Sequence, residues 1–292
     1  MSTFDARAAF RKLHDSGCFV IPNPWDVGTA HYLRHCGFKA LATTSAGAAF
    51  GMGLPDGSVV RDMMLAHIRT IVDATELPVN ADFESGYAHA PETVAESVSL
   101  CVETGVAGLS IEDATGEKTK PLYDLDTAVA RMRAARRAID QSGADVMLVG
   151  RAECFLVGRP DIGETIARLK AYASAGADCL YAPGIRTAEQ IAAVVTAVAP
   201  KPVNVLISGA TDLTVDDLAG LGVRRISVGG ALARVAWGAF MRAAKQIATE
   251  GSFDALTSAV SMAEINGFFQ EDFKRTSRGG QADAVSSTRP PA

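Results

Sequence analysis

Eight short apolar runs, each followed by a segment of helical periodicity, constrain this chain more than any other feature. The runs are residues 18–21, 39–44, the stretch that opens at Pro78, and residues 108–111, 146–151, 177–182, 202–206 and 225–228. Between them the pattern predicts helices over 27–35, 60–74, 91–104, 125–141, 161–175, 187–198 and 214–221. A further helix over 3–16, with Phe4, Ala8 and Leu13 as its apolar contacts, precedes the first run, and a long one follows the last. Alternation of this kind builds parallel strands joined by right-handed crossovers. Eight such units predict an α/β fold, a (β/α)8 TIM-type barrel, which fits within a chain of 292 residues as one domain over 1–275.

In such a barrel the chemistry sits at the C-terminal ends of the strands, and the polar residues of this chain gather there. The third run ends in Asp82-Phe83-Glu84. Residues i and i+2 share a face of a strand, so the two carboxylates are expected to point the same way. Like charges that close repel, and a hard divalent cation with oxygen ligands, Mg²⁺ above all, resolves the conflict. A lone pair of acids is equally the mark of a solvated turn. Here, though, Glu112-Asp113 follows the fourth run, Asp56 stands in the loop after the second, Arg151 ends the fifth and Asn204 lies in the seventh. Acids converging from three strand ends predict a metal site. Residues 45–57 read as a Gly-rich loop, too long to be a mere connector.

Composition narrows the remaining choices. With 48% hydrophobic and 21% charged residues the chain can bury a large core. A net charge of −5 and the lack of a basic block argue against a nucleic-acid partner. No apolar run is long enough to span a bilayer, and the first residues lack the apolar stretch of a signal peptide. Five scattered cysteines without a CxxC pair suit a reducing compartment, so the cytoplasm is the expected location. Residues 252–275 carry more apolar side chains than a barrel needs, among them Phe253, Leu256, Phe268 and Phe273, and are expected to cover a partner subunit. The Ser-, Gly- and Pro-rich tail over 276–292 is expected to be disordered.

Several segments together resemble the isocitrate lyase/phosphoenolpyruvate mutase superfamily over about residues 10 to 270. They are Asn23-Pro24-Trp25-Asp26, Gly37-Phe38-Lys39-Ala40, Thr44-Ser45-Ala46-Gly47, Gly53-Leu54-Pro55-Asp56, Asp82 to Tyr87, Ile111-Glu112-Asp113, Gly150-Arg151-Ala152-Glu153 and Pro202-Val203-Asn204. The resemblance implies an α/β barrel whose last helix is exchanged with a neighbouring subunit, in a dimer or tetramer. It also implies Mg²⁺, or Mn²⁺ in its place, and a small 2-oxo or 2-hydroxy carboxylate substrate. The bond broken or made is C–C or P–C, next to the carbonyl, through an enolate. Asp82 would be the direct metal ligand, with Asp56, Glu84 and Glu112 acting largely through water. Ser45, Ala46 and Gly47 would hold the substrate carboxylate, Arg151 would pair with a substrate oxygen, and Glu153 and Asn204 would complete the binding set. Arg151, Glu112 and Asp113 are then the candidate catalytic residues.

The loop after the fourth strand departs from the pattern. The lyases of this superfamily carry Lys-Lys/Arg-Cys-Gly-His there, whereas this chain has Ala114-Thr115-Gly116-Glu117-Lys118-Thr119-Lys120-Pro121 and no cysteine. Phosphonate enzymes follow the position of Asp113 with a lysine, and Ala114 stands in its place. Lys118 or Lys120 is the available substitute. Where relatives place a His or Glu after the sixth strand, Pro183-Gly184 is found. C–C cleavage is the leading expectation, C–P chemistry the alternative, and a silent ligand-binding barrel the third. His31 and His35, four apart on an outer helix, read as surface or packing residues, Cys154 as a packed thiol and His89 as a solvated loop residue. Gly229-Gly230 reads as a tight turn.

Overall fold

Residues 3–286 are described in the computed structural model of the chain. Its strands are short and buried: β1 (Phe19–Ile21), β2 (Leu41–Ala42), β3 (Val79–Asp82), β4 (Gly108–Glu112), β5 (Met147–Arg151), β6 (Cys179–Tyr181), β7 (Val203–Leu206) and β8 (Arg225–Ser227). All pair in parallel, in the order β1-β8-β7-β6-β5-β4-β3-β2. The result is the expected barrel, nearly closed. Between β1 and β2, where no ladder forms, the Ala42 N–H donates to the Pro22 carbonyl at 3.0 Å. Asn23 spans the same seam. Its Nδ2 donates to the Thr43 carbonyl (2.9 Å), while its Oδ1 accepts from the Val228 and Gly229 N–H groups (3.0 and 2.8 Å).

The outer layer consists of α2 (Val27–His35), α4 (Arg61–Asp73), α5 (Pro91–Glu103), α6 (Leu125–Gln141), α7 (Ile162–Ser174), α8 (Ala188–Val198) and α9 (Val215–Gly220). Their starts are written in the sequence. Asp26, Asp124, Asp161, Thr187 and Thr214 each accept a backbone N–H of the first turn, a cap worth about 1 kcal/mol. Their inner faces repeat at helical spacing, as in Val94, Val98, Cys101 and Val102 of α5 and Ala128, Met132, Ala135 and Ile139 of α6.

Two local expectations change. The segment from Ser45 is not simply a loop, because α3 (Ser45–Gly51) forms there. Thr44 caps it through its hydroxyl, and the alanines around its two glycines are strong helix formers. In α1 (Thr3–Leu13) the anchor is Phe10, fully buried among Ile21, Ala40, Ala107 and Met147 at the N-terminal end of the strands. Ala8 is exposed, Leu13 packs partly, and the side chain of Phe4 lies outside the described residues. Gly108 makes room for this plug: a Cβ there would lie 2.7 Å from both Phe10 Cε1 and Asn80 Oδ1.

The chain divides into two compact units, one ending at Arg234 and one beginning at Val235, so the boundary falls within α10 (Ala231–Glu250). The second unit also holds a short 3₁₀ turn (Asp254–Ser258) and α11 (Met262–Ser286). It exposes Val235, Phe240, Met241, Phe253, Val260 and Met262. Of the tail expected to be disordered, 276–286 is helical backbone, and 287–292 lies outside the described residues. Among the described residues no helix is long and apolar enough to cross a membrane.

Candidate active site

Parallel pairing carries the strand-end residues to one mouth. Asp82 ends β3, Glu112 ends β4 and Arg151 ends β5, with Glu112 opposite Arg151 and Arg151 opposite Tyr181. Asp82 is held from three sides. One carboxylate oxygen accepts from the Ser45 N–H and hydroxyl, both at 2.9 Å, and the other from Arg151 Nη1 at 3.2 Å. Its own N–H donates to Thr43 Oγ1 (2.9 Å). The Gly47 N–H donates to Thr44 Oγ1 (3.2 Å), so within Ser45-Ala46-Gly47 only the Ala46 N–H has no hydrogen bond among the described residues. Gly47 is required by crowding: a Cβ there would lie 2.7 Å from Thr44 Cγ2 and 2.9 Å from Trp25 Cβ.

Arg151 is the hub. Its Nη1 lies 3.1 Å from Glu112 Oε2 as well as 3.2 Å from Asp82, its Nε donates to Glu153, and its guanidinium sits 5.1 Å from the Tyr181 ring centroid. Burial alone would push this guanidinium down, but Glu112, Glu153 and Asp82 drive its pKa well above the ordinary value. Glu112 in turn is pushed well up by burial, and Glu153 and Asp82 push the same way against Arg151. Glu153 shifts in the same direction, chiefly by burial, with Asp113 and Asp82 adding to it against Arg151. One cation thus serves three carboxylates.

Glu84 reaches the site by a different route from the one strand alternation predicts. β3 ends at Asp82, and Glu84 takes a left-handed φ of 45°, as does Tyr87 at 56°. The Tyr87 hydroxyl donates to Glu84 Oε1 at 2.9 Å, and the Glu112 N–H donates to the Glu84 carbonyl at 3.0 Å. Burial first, then Asp82 and Asp56, push the Glu84 carboxyl up to about 7. Asp56 is also raised, by burial and by Asp82. Two non-glycine residues in this conformation within four positions mark a turn held by its surroundings. Arg131 does the holding. It is buried, donates to the carbonyls of Ser85, Ala88 and His89, and stacks 4.1 Å over the Tyr123 ring.

Asp113 is a correction. It does not face the substrate space. Only 2% exposed, it accepts from the Glu153 N–H (2.8 Å), from Arg168 Nη1 (3.0 Å) and from the Tyr172 hydroxyl (2.5 Å). It fixes the backbone of Glu153, whose carboxylate accepts from Arg151 Nε.

A cavity of about 310 Å³ opens among these residues. Of the expected set, Ser45, Ala46, Asp56, Asp82, Arg151 and Asn204 line it, whereas Gly47, Glu84, Glu112, Asp113 and Glu153 stand behind that lining. Sequence reasoning missed Asn80, Tyr181, Arg225, Ser227 and Arg234, which line it too. The signal for four of them was a polar or phenolic side chain at alternate positions of an otherwise apolar strand. The loop after β4 folds onto itself through an Ala114–Leu122 bridge, with Lys118 and Lys120 exposed. Lys120 lies 3.8 Å from Asp124. His89 bonds the Tyr123 hydroxyl through Nδ1, Cys154 is fully buried, and the Gly229 N–H is spent on Asn23.

These donors suit a hard cation. Asp56 and Asp82 line one cavity, and Asp82 adds to the burial that disfavours the charged forms of Asp56 and Glu84, the burden that a divalent ion with oxygen ligands relieves. No three His, Cys, Asp or Glu side chains among the described residues enclose a metal position by themselves. An ion here would therefore rest on few protein oxygens and on water.

Comparisons with known proteins agree with this architecture. The phosphoenolpyruvate phosphomutase family model matches residues 10–248. The chain is 32% identical to a 2-methylisocitrate lyase of Escherichia coli (strain K12), over 63% of this chain and 64% of that one. It is 29% identical to an oxaloacetate decarboxylase of Paraburkholderia xenovorans (strain LB400), over 75% and 74%. Among solved structures, a candidate lyase/mutase from Burkholderia cenocepacia J2315 superposes with a TM-score of 0.89 at 51% identity, covering 92% of this chain and 97% of that one.

Proposed function

The chain belongs to the phosphoenolpyruvate mutase/isocitrate lyase superfamily, an enzyme of the lyase and mutase type, and from that premise we propose that it cleaves a C–C bond beside the oxygen-bearing carbon of a small 2-oxo or 2-hydroxy carboxylate. The observation that carries this reading is the convergence of Asp82, Glu112 and Arg151 at one strand-end mouth, over a cavity sized for a small acid. Asp82 would hold Mg²⁺ directly, with Asp56, Glu84 and Glu112 reaching it through water. When bound, the ion supplies Lewis acidity where enolate charge develops.

The protein's own groups do the rest. Arg151, fixed by Glu153 and Glu112, offers a permanent positive charge to a substrate oxygen. Ser45 and Ala46 meet the carboxylate, and the Ala46 N–H is the donor left for it. Preorganised donors of this kind contribute about 3 kcal/mol each when charge develops on the oxygen they face. C–P chemistry ranks second, because Ala114 stands where a phosphonate enzyme has its lysine and both loop lysines are exposed.

The exposed apolar surface of the unit from Val235 onward is proposed to be covered by a second copy of the chain, making a dimer or tetramer. Light scattering would report it, and a monomer at micromolar concentration would refute it. Five free thiols support a cytoplasmic location.

Calorimetry with oxalate, an enolate mimic, tests the site. Tight binding that needs both Mg²⁺ and Asp82, lost in Asp82→Ala, is expected, followed by turnover of oxaloacetate or a related acid. Binding indifferent to the ion and to Asp82 would overturn the reading.

A further inference from the structure

C–C cleavage leaves an enolate that has to take up a proton to become product. The commonest donors are not at this mouth. Among the described residues no histidine, cysteine or lysine lines the cavity. His89 is bonded to Tyr123, Cys154 is fully buried, and Lys118 and Lys120 are exposed on the loop after β4. Of the groups that do line it, Arg151, Arg225 and Arg234 keep their protons, and the serine and threonine hydroxyls are far weaker acids than a phenol. Asp56 and Asp82 are committed to the cation. That leaves the phenol of Tyr181.

Tyr181 ends β6, is 8% exposed and lies opposite Arg151 in the ladder, with its ring centroid 5.1 Å from that guanidinium. The groups behind it fix where its proton can go. Arg225 only donates, and its Nε donates to Asn204 Oδ1 at 2.8 Å. With its oxygen so used, Asn204 turns Nδ2 toward Ser227 Oγ, to which it donates at 2.9 Å. Ser227 is thereby an acceptor, and its one proton is left for the Tyr181 oxygen, with which it shares a hydrogen bond. The phenol's own proton is then free for the cavity. Burial pushes this phenol up and keeps it protonated, while Arg151 and Ser227 favour its charged form. The group therefore carries a proton at neutral pH and has two partners for the charge that losing it would leave.

We propose that Tyr181 is the catalytic acid of this site and delivers its hydroxyl proton to the enolate carbon, with Ser227 as its positioning residue. The proposal deepens the reading of the mouth given above and rests on it. As the C–C bond breaks, its electron pair stays with the fragment that becomes the enolate. The Tyr181 O–H bond then breaks, its proton forms a C–H bond with that fragment, and the O–H pair stays on the phenolate oxygen beside Ser227. After product has left, a proton from solvent water restores the phenol.

Pyruvate, the product expected from oxaloacetate, reports the step in reverse. In deuterium oxide with Mg²⁺, wild type should exchange the pyruvate methyl protons, followed by proton NMR. Tyr181→Phe should slow that exchange by about 10²–10⁴-fold. Oxalate needs no proton, so its affinity with Mg²⁺, measured by calorimetry, should stay within about twofold in the same variant. Exchange at the wild-type rate in Tyr181→Phe, or equal losses of exchange and oxalate affinity, overturns the assignment and leaves the mouth standing. So does a wild type that binds oxalate with Mg²⁺ and leaves the methyl protons in place. If wild type does not bind oxalate with Mg²⁺, the reading of the mouth fails and the acid falls with it. Should Tyr181→Phe not fold, a crystal structure of wild type with Mg²⁺ and oxalate decides. The phenol oxygen is expected about 3–3.5 Å from the oxalate, and a phenol turned away from it overturns the proposal.

Discussion

Replacing Asp113 by alanine should cost this protein a large part of its stability, and the structure gives the size. The side chain is 2% exposed and receives three hydrogen bonds, from Arg168, Tyr172 and the Glu153 N–H. Removing one member of a buried ion pair costs about 3–5 kcal/mol when its partner is stranded. Arg168 is not fully stranded, because Glu164 accepts from its Nε and Nη2 at 3.1 and 2.9 Å. The Tyr172 hydroxyl, on a fully buried residue, loses its acceptor, which costs about 1–3 kcal/mol. A loss near 4 kcal/mol follows, against a typical total of about 5–15 kcal/mol. Guanidinium unfolding would show it as a lower midpoint at unchanged slope. Asp113→Asn keeps the shape and should lose roughly half as much. Tyr172→Phe should cost about 1 kcal/mol alone but recover about 1 kcal/mol in the Asp113→Ala background, where it removes the stranded hydroxyl. A loss below about 1 kcal/mol for Asp113→Ala, or additive effects in the double variant, would refute the assignment of Asp113 as a buried brace.

Arg131→Met should release the turn after β3: hydrogen exchange over residues 85–89 should speed up while β3 itself stays protected, because the guanidinium holds three carbonyls there. Uniform exchange in variant and wild type would refute that role. His14 is pushed down to about 3 by burial and by the charge of Arg225, and its Nδ1 meets the Phe10 carbonyl at 2.8 Å. Because its folded pKa lies below the unfolded 6.5, its contribution is present above pH 6.5 and is lost as pH falls toward 3, at up to about 1.4 kcal/mol per pH unit. Stability measured across that range should therefore fall less steeply in His14→Gln, and parallel curves would contradict the argument.

The strand–helix rhythm was legible because burial demands apolar runs of strand length and helices of one-sided periodicity. Helix ends such as Val27–His35 and Leu125–Gln141 coincide with the sequence expectation because their caps are local chemistry. What escaped was set by distant parts of the chain. The glycines and alanines after Thr44 read as a loop, since nothing local shows that Gly47 is small to admit Trp25. Asp82 and Glu84 were found for a partly mistaken reason: both reach the site, but a left-handed residue, not strand alternation, places the second. Asp113 sits beside Glu112 in sequence, just past the end of β4, and is drawn away from the cavity by Arg168 and Tyr172 of α7. Arg225, Asn80 and Ser227 were visible as polar residues at alternate strand positions. Their meaning depends on partners on other strands, as in the Ser227–Asn204 bond and the Arg225–Asn80 bond.

The order of the ladders also sets a timetable for synthesis. β1 pairs with β8, Phe19 against Arg225, so the first strand made finds its ladder partner only after about two hundred further residues have been added. Until then β1 has no ladder partner on the growing sheet, and the Ala42 N–H and Asn23 tie it to the β2 side. The clamp at Asn23 is itself incomplete before Val228 and Gly229 arrive, since they donate to the same oxygen. A ribosome that stalls before β8 therefore releases an open sheet with an unfinished mouth. The barrel, and with it the site, closes only once β8 has been made.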